Sequence, residues 1–444
     1  MNPRASVSGC TIIQKKIFIA EPHFSVCRYI EDILQNHGYE AWLIGGSVRD
    51  LLISGKLSDL DYTTNAKPEQ VQKIFPRTVP VGIRFGTILV LYRGHKVEIT
   101  TYRADADYHD GRRPAAVHYA DDLQTDIQRR DFTINGLAYN VSRSELADYC
   151  GGLADLESKT LRTIGDPMQR FTEDGLRPIR GCRIAAKLGF EIEATTLTAM
   201  RHCIEITSRV APERFYDEWR KTLRMKNRRS YWHNLLEAHI LPAFLPHIAK
   251  AFVGEGRDQF LREIDHLPLR SMGEYAAAVF YLLAVTNPTA REATLRDTKF
   301  PTAELKLCLS LLSSPLFTLP SDPDRQQFKL KLAFVKKGER LAHVRFFRAM
   351  RAATMVSAGV LPGPVRKFRE SIAALYISVR RSHEPLDIGD LAVSGEDIKH
   401  AGFHGPAVGK ILDRLRHAVL ENPALNTKER LLSLIDEAGV LGEF

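Results

Sequence analysis

The sequence predicts an α+β protein: a small N-terminal domain with a mixed sheet, followed by a long all-α remainder. Three observations carry this. Short apolar runs alternate with helical periodicity as far as about residue 145. Beyond about residue 150 the strand signals fade, and Pro212, Pro242, Pro288, Pro301 and Pro320 cut the chain into helix-length pieces. The length of 444 residues, 44% of them hydrophobic, exceeds one compact domain; at about 150 residues per domain it allows two to four.

Taken in order, residues 1–20 read as a frayed lead-in. Phe24–His37 has helical periodicity and ends at Gly38, a C-cap residue. Ala41–Ile44 is a short apolar strand running into Gly45-Gly46, and Val48–Leu52 opens a helix. Leu57–Tyr62, Thr87–Tyr92 and Lys96–Tyr102 read as strands, the last two joined by a turn at Gly94. Residues 103–115 (RADADYHDGRRPA) are polar, carry Gly and Pro, and read as a mobile loop. The helical part holds two basic runs, Arg220 to Arg229 and Lys336 to Arg351. Each fits a solvated helix face or an RNA-binding surface.

The balance of 62 basic against 53 acidic residues gives a net charge of +9, a moderate bias toward polyanionic partners. None of the six cysteines forms a Cys-x-x-Cys pair, and their spacing suggests neither a zinc site nor a disulfide framework. A reduced, cytoplasmic setting fits best. No apolar run approaches the roughly 20 residues of a membrane span, and the N-terminus lacks a secretory core. Nothing in the pattern sets an oligomeric state.

Asp59 and Asp61 are two apart in an expected strand, so their side chains share a face. Two adjacent carboxylates repel, and a divalent cation relieves that; oxygen ligands suit Mg²⁺, with water and phosphate completing its shell. Two such ions about 3.5–4 Å apart activate a hydroxyl and stabilise leaving pyrophosphate. Alone, Asp-x-Asp is weak evidence. Here it follows Gly45-Gly46, where the backbone can approach a ligand and the next helix offers free N–H groups to an anion. Arg49 in that helix is placed to reach phosphate. Glu98, between Val97 and Ile99, needs a partner if buried, and either a shared metal or a solvated face provides one. Arg129-Arg130-Asp131-Phe132-Thr133-Ile134-Asn135 offers Arg130 to a triphosphate and Asn135 to a sugar or phosphate oxygen. It fits equally a helix start with surface arginines. In Glu173-Asp174-Gly175-Leu176-Arg177, followed by Arg180 and Arg183, the arginines are three apart and share a helix face. Asp174 paired with Arg177 would show one acceptor and one donor pair outward. That matches the amino group and ring nitrogen of cytosine and adenine, and mismatches uracil and guanine. An ordinary salt-bridged helix face is the alternative.

These residues resemble the class II tRNA nucleotidyltransferases and the related bacterial poly(A) polymerases, of the polymerase-β-like superfamily. The resemblance runs from about Ala41 to Phe190. GGSVRD with DLD is similar to the family's metal and triphosphate motif, with Gly46 and Arg49 toward the nucleotide and Asp59 and Asp61 as metal ligands. VEITTYR resembles the strand of the third carboxylate, Glu98. RRDFTIN resembles the second motif, DYCGGLADL the hinge-like third, and EDGLRPIRGCR the stretch that selects nucleotides through Asp174, Arg177, Arg180 and Arg183. A fainter likeness at Leu391–Leu412 resembles the RNA-binding tail. The resemblance implies a nucleotidyltransferase head at 21–147 after the lead-in of 1–20. A helical neck at 148–230, a body at 231–382 and a tail at 383–444 follow. It implies Mg²⁺-dependent, template-independent addition of C and A from CTP and ATP to a tRNA 3′ end, with no membrane partner. The family's members carry alanine where Gly136 and Gly181 stand, and phenylalanine at Ile184, departures that touch specificity more than catalysis. The loop Asp107–Pro114 and the run Val81–Ile88 favour full CCA addition or A addition over poly(A) synthesis.

Overall fold

A computed structural model describes residues 11–57, 59–82, 86–104, 118–252 and 256–440. The chain divides into two units, Met1–Lys250 with Asp297–Lys299, and Ala251–Arg296 with Phe300–Phe444.

The first unit begins with an eight-stranded sheet. Along the chain come β1 (Thr11–Gln14), α1 (His23–Asn36), β2 (Trp42–Ile44), α2 (Gly46–Ser54), β3 (Asp61–Thr64) and α3 (Pro68–Ile74). Then follow β4 (Thr78–Gly82), β5 (Thr87–Tyr92), β6 (His95–Thr101), α4 (Leu123–Gln128), β7 (Leu137–Asn140) and β8 (Glu145–Asp148). The spatial order is β1-β8-β7-β2-β3-β6-β5-β4, and only β3–β6 is parallel. Period-two alternation sorts the side chains. Leu43, Leu137, Tyr139 and Leu146 join a core under α1 with Val97 and Ile99, while Trp42, Ile44, Ala138 and Ala147 enter a second core on the opposite face. In α1, Val26, Ile30 and Leu34 recur every fourth residue and are buried against the sheet. Arg93 and Gly94 take positive φ of 46° and 81°, the geometry of the tight turn joining β5 to β6.

Two expectations are corrected. The lead-in is not all frayed, because Thr11–Gln14 pairs antiparallel with Glu145–Asp148. The strand expected over Leu57–Tyr62 is displaced: pairing begins at Asp61, and Asp59 lies exposed before it. The cost of burying Glu31 in α1 is offset locally, since its carboxylate accepts from Tyr62 Oη at 3.2 Å, Val141 N at 2.9 Å and Ser142 N at 2.7 Å.

Helices then dominate, as expected: α5 (Gly152–Glu157), α6 (Pro167–Glu173), α7 (Leu176–Leu188), α8 (Ala194–His202), α9 (Ile204–Ser208), α10 (Pro212–Lys221) and α11 (Arg228–Glu237). One small parallel pair, β9 (Thr160–Leu161) with β10 (Glu191–Ile192), interrupts them. Pro178 falls in the first turn of α7, where its missing N–H has no intrahelical partner to lose. The substituted glycines have a packing reason. A Cβ at Gly136 would lie 2.6 Å from Cys150 Sγ, and one at Gly181 would lie 2.7 Å from Met200 Cε and 2.8 Å from Phe132 Cζ. Larger neighbours fill the space an alanine methyl would take.

Among the described residues, the second unit is built of α-helices and short 3₁₀ turns. Leu316, Phe328, Phe347 and Ile372 share one core, and Ile398, Ile411, Leu415, Leu431 and Ile435 another. Of its basic run, Arg340 is paired with Asp387 and Arg345 with Glu274, so these two serve packing rather than a free cationic face. Cys27, Cys150, Cys182, Cys203 and Cys308 are free thiols. No described helix is long and apolar enough to cross a membrane.

Candidate active site

Strand β2 stops at Gly45, whose φ of 72° and ψ of −134° suit glycine and turn the chain sharply into α2. Ser47, in the first turn of α2, faces the start of β3: its Oγ lies 3.4 Å from both Asp61 Oδ2 and Asp61 N. The parallel β3–β6 register sets Asp61 directly beside Glu98. Tyr62 and the flanking Val97 and Ile99 enter the core under α1, so alternation sends both carboxylates to the other face. There they line a cavity of about 380 Å³. Gly45, Gly46 and Asn135 line it as well, and Arg129, Arg130, Arg177 and Arg180 supply its positive charge, with Asp174 among the last two.

The electrostatics follow from this placement. Burial, then the charges of Glu98 and Asp59, push the Asp61 carboxyl up to about 6, against the lowering effects of Ser47 and Arg130. Asp61 therefore sits in uncompensated negative charge. An all-oxygen donor set of this kind fits a hard divalent cation. Among the described residues no three acidic, His or Cys side chains converge into a full metal cage. Asp61 and Glu98 lie in the cavity wall and Asp59 stands outside it, so phosphate and water would complete any coordination shell. Across the cavity, Asp126 is fully buried and accepts from Arg129 Nη2 and Arg130 Nη2, both at 2.7 Å. Burial alone would raise its carboxyl, but the two guanidinium groups hold it well below the usual range. Among the described residues Arg130 Nε is buried with no hydrogen-bond partner.

The Poly A polymerase head domain matches residues 41–162, and the domain described as the probable RNA and SrmB-binding site of polymerase A matches residues 189–252. The chain is 33% identical over 410 residues to the CCA-adding enzyme of Streptococcus mutans, covering 90% of this chain and 93% of that one. It is 30% identical over 418 residues to the enzyme of Staphylococcus haemolyticus, covering 93% and 98%. The chain belongs to the CCA-adding enzyme family. It shares its fold with the Bacillus stearothermophilus CCA-adding enzyme solved in complex with CTP, at a TM-score of 0.77, 27% identity and coverage of 96% and 99%. The chain is thus a nucleotidyltransferase, as its sequence motifs imply, and CCA-adding enzymes generally need a divalent metal.

Of the residues expected at the site of this CCA-adding enzyme relative, Asp61, Glu98, Gly46, Arg130, Asn135, Asp174, Arg177 and Arg180 line the one cavity. Three placements differ from those expected. Arg49 does not line it: its guanidinium is buried, donating from Nε and Nη2 to Asp50 Oδ1 at 2.8 and 2.7 Å and from Nη1 to Asn135 Oδ1 at 2.6 Å. Arg183 points away, its Nε 2.5 Å from Glu218 Oε2 on α10. Asp174 and Arg177 do not pair through their side chains. Arg177 Nη1 donates to Glu173 Oε2 at 2.7 Å and to Arg170 O at 3.0 Å, and Nη2 donates to Arg129 O at 2.9 Å. Asp174 Oδ1 accepts from Leu176 N at 3.0 Å, with Arg214 at 3.6 Å. The two still flank the same cavity separately.

Sequence reasoning missed Asp126 and Asp131. Asp131 Oδ2 accepts from Arg180 Nε and Nη2 at 3.2 and 2.9 Å, and Oδ1 accepts from Asn135 Nδ2 at 3.0 Å. Burial alone would raise its carboxyl, but Arg180 and Asn135 bring it down to about 2. A signal existed: Asp126 precedes Arg129 and Arg130 by three and four residues, the spacing of helical ion pairs. The loop Asp107–Pro114 lies outside the described residues, as do residues 83–85 of the run Val81–Ile88.

Proposed function

We propose that this protein adds C and A nucleotides from CTP and ATP to the 3′ end of tRNA, without a nucleic-acid template and with Mg²⁺. The observation that carries the reading is the single cavity in which Asp61 and Glu98 face Arg129, Arg130, Arg177 and Arg180. A 3′ hydroxyl, a triphosphate and a base edge each have a chemically matched wall there.

In this reading Asp61 and Glu98, with Asp59 beside them, hold Mg²⁺, which would lower the pKa of the attacking hydroxyl and neutralise pyrophosphate charge. Gly46 presents the N-terminal N–H groups of α2 to phosphate, and Arg130 in the cavity wall adds a charge-assisted donor. Asn135 meets a sugar or phosphate oxygen. The base edge is read by Asp174 as acceptor and by Arg177 and Arg180 as donors. The Asp174 carboxylate, whose Oδ1 takes Leu176 N, stands in the cavity wall and suits the amino group of cytosine or adenine. Arg49 and Arg183 act behind this surface. The segments 148–230, 231–382 and 383–444 serve as neck, body and RNA-binding tail, in the cytoplasm.

The test offers purified protein three tRNAs, ending before CCA, after C and after CC, with each NTP. Two C additions, one A and a stop support full CCA addition. A addition only after CC would identify an A-adding enzyme, and long A tails a poly(A) polymerase. No incorporation with Mg²⁺ on any of the three would overturn the reading. Asp59→Ala should abolish incorporation while keeping RNA binding.

A further inference from the structure

The carboxylates and the base-reading arginines stand on different elements, so nucleotide choice depends on what holds those elements in register. Helix α7 reaches the head at both of its ends. Near its start, Arg177 binds Arg129 O and Arg180 binds Asp131. Near its end, Lys187 Nζ donates to Asp50 Oδ2 on α2 at 3.0 Å. Between them runs an unbroken chain. Asp50 Oδ1 holds Arg49, Arg49 Nη1 holds Asn135 Oδ1 at 2.6 Å, and Asn135 Nδ2 holds Asp131 Oδ1 at 3.0 Å. The result is a closed ring: α7, Asp50, Arg49, Asn135, Asp131 and α7 again.

We propose that Asp50 and Lys187 are positioning residues that close this ring, fixing the base-reading end of α7 against the phosphate end of α2 and so setting nucleotide choice. The proposal rests on the reading of Asp174, Arg177 and Arg180 given above. Its geometry is that of a lever. Arg180 and Lys187 are seven residues apart, two helical turns, and so lie on one face about 10 Å apart. The Arg177 and Arg180 contacts sit within one turn of each other and leave the far end of α7 free to swing about them, whereas the Lys187 contact ties that end down. If the Lys187 end slips by about 1 Å about Arg180, Arg177, three residues to the other side, is pulled by about 0.4 Å against its contact with Arg129 O. Displacements of this order matter where donors must match a base edge. The middle links are shielded: Arg49 is 6% and Asn135 7% exposed. Lys187 is 45% exposed, and without it Asp50 keeps Arg49, so removing Lys187 loosens the ring without leaving a buried charge unpaired.

The experiment measures kcat and KM for all four NTPs on a tRNA lacking CCA, with Lys187→Met, Lys187→Arg and Asp50→Asn, and thermal melts alongside. For Lys187→Met the preference for CTP over UTP should fall about 3- to 10-fold through KM, with kcat for CTP within about twofold of wild type. Asp50→Asn should act in the same direction and more strongly. Lys187→Arg, which keeps a long cation, should restore wild-type choice. Unchanged preference in both Lys187→Met and Asp50→Asn would overturn the ring while leaving the base-reading assignment intact, and so would a kcat loss shared equally by all four NTPs. A wild-type enzyme without preference among NTPs would overturn the base-reading role of α7, and the proposal with it. If Asp50→Asn fails to fold, the two Lys187 variants decide alone.

Discussion

Asp131→Asn is the sharpest test of how the cavity is held. The change keeps shape and removes one charge. In the wild type both carboxylate oxygens are acceptors: Oδ2 takes Arg180, and Oδ1 takes Asn135 Nδ2 and Phe132 N at 2.9 Å. An asparagine offers one acceptor and one donor group, so one side must face donor to donor. The fall of the carboxyl from its ordinary 3.8 to about 2 corresponds to roughly 2 kcal/mol of native-state stabilisation. The mismatched donors add about 1 kcal/mol, limited because Arg180 is 36% exposed and can turn partly to water. Because the folded value is depressed, this stability is fully present above pH 4 and is lost only as the pH falls toward 2. At pH 7 the whole loss of about 2–3 kcal/mol should therefore show. For a unit of this size that lowers Tm by roughly 4–12 °C, read by calorimetry or dye melting. A double-mutant cycle with Arg180→Met should give a coupling energy of about 1–2 kcal/mol. A Tm within 1 °C of wild type at pH 7, or a coupling energy near zero, would refute the claim that this pair braces the site.

Three further outcomes follow from named contacts. Asp61, raised to about 6, favours the metal-free fold while it is protonated; that advantage is present below about pH 4 and lost as the pH rises through 6. Referenced to Asp61→Asn, the metal-free wild type should lose on the order of 1–2 kcal/mol between pH 4 and 7.5. Added Mg²⁺ should restore more at pH 7.5 than at pH 5, and an equal Mg²⁺ effect at both would remove Asp61 from the metal site. Arg183→Met should cost about 1–3 kcal/mol, because Glu218 is 2% exposed and keeps the Lys221 contact and the more distant Arg180 charge. Choice among NTPs should not change, and relaxed choice would show that Arg183 reaches the nucleotide. Gly136→Ala should destabilise by about 1–3 kcal/mol through the 2.6 Å approach to Cys150 Sγ, and Cys150→Ala should recover at least half of it. Strict additivity of the two changes would refute that account.

The head was legible because its signals are local. The apolar run Ala41–Ile44, the alternation around Glu98 and the turn at Gly94 need only near neighbours. Strand β1 was not legible, since Thr11 pairs with Asp148 and no local pattern announces so distant a partner. The same holds at the site: Asp-x-Asp was visible, but the register that sets Asp61 against Glu98 belongs to the sheet. Sequence showed that Arg49 follows the Gly45-Gly46 turn by three residues. It did not show that Asn135, 86 residues later, offers an acceptor that claims the guanidinium first. Arg183 stands apart from Arg177 and Arg180 for a calculable reason. Each three-residue step turns about 300°, so successive residues drift by about 60°, and Arg183 ends some 120° from Arg177. That rotation carries Arg183 to Glu218 on α10 while Arg177 and Arg180 stay in the cavity. A seven-residue step drifts only about 20°. By that arithmetic the partner of Arg180 on its own face is Lys187, and the question of what Lys187 binds leads to Asp50 and back to the turn at Gly45-Gly46.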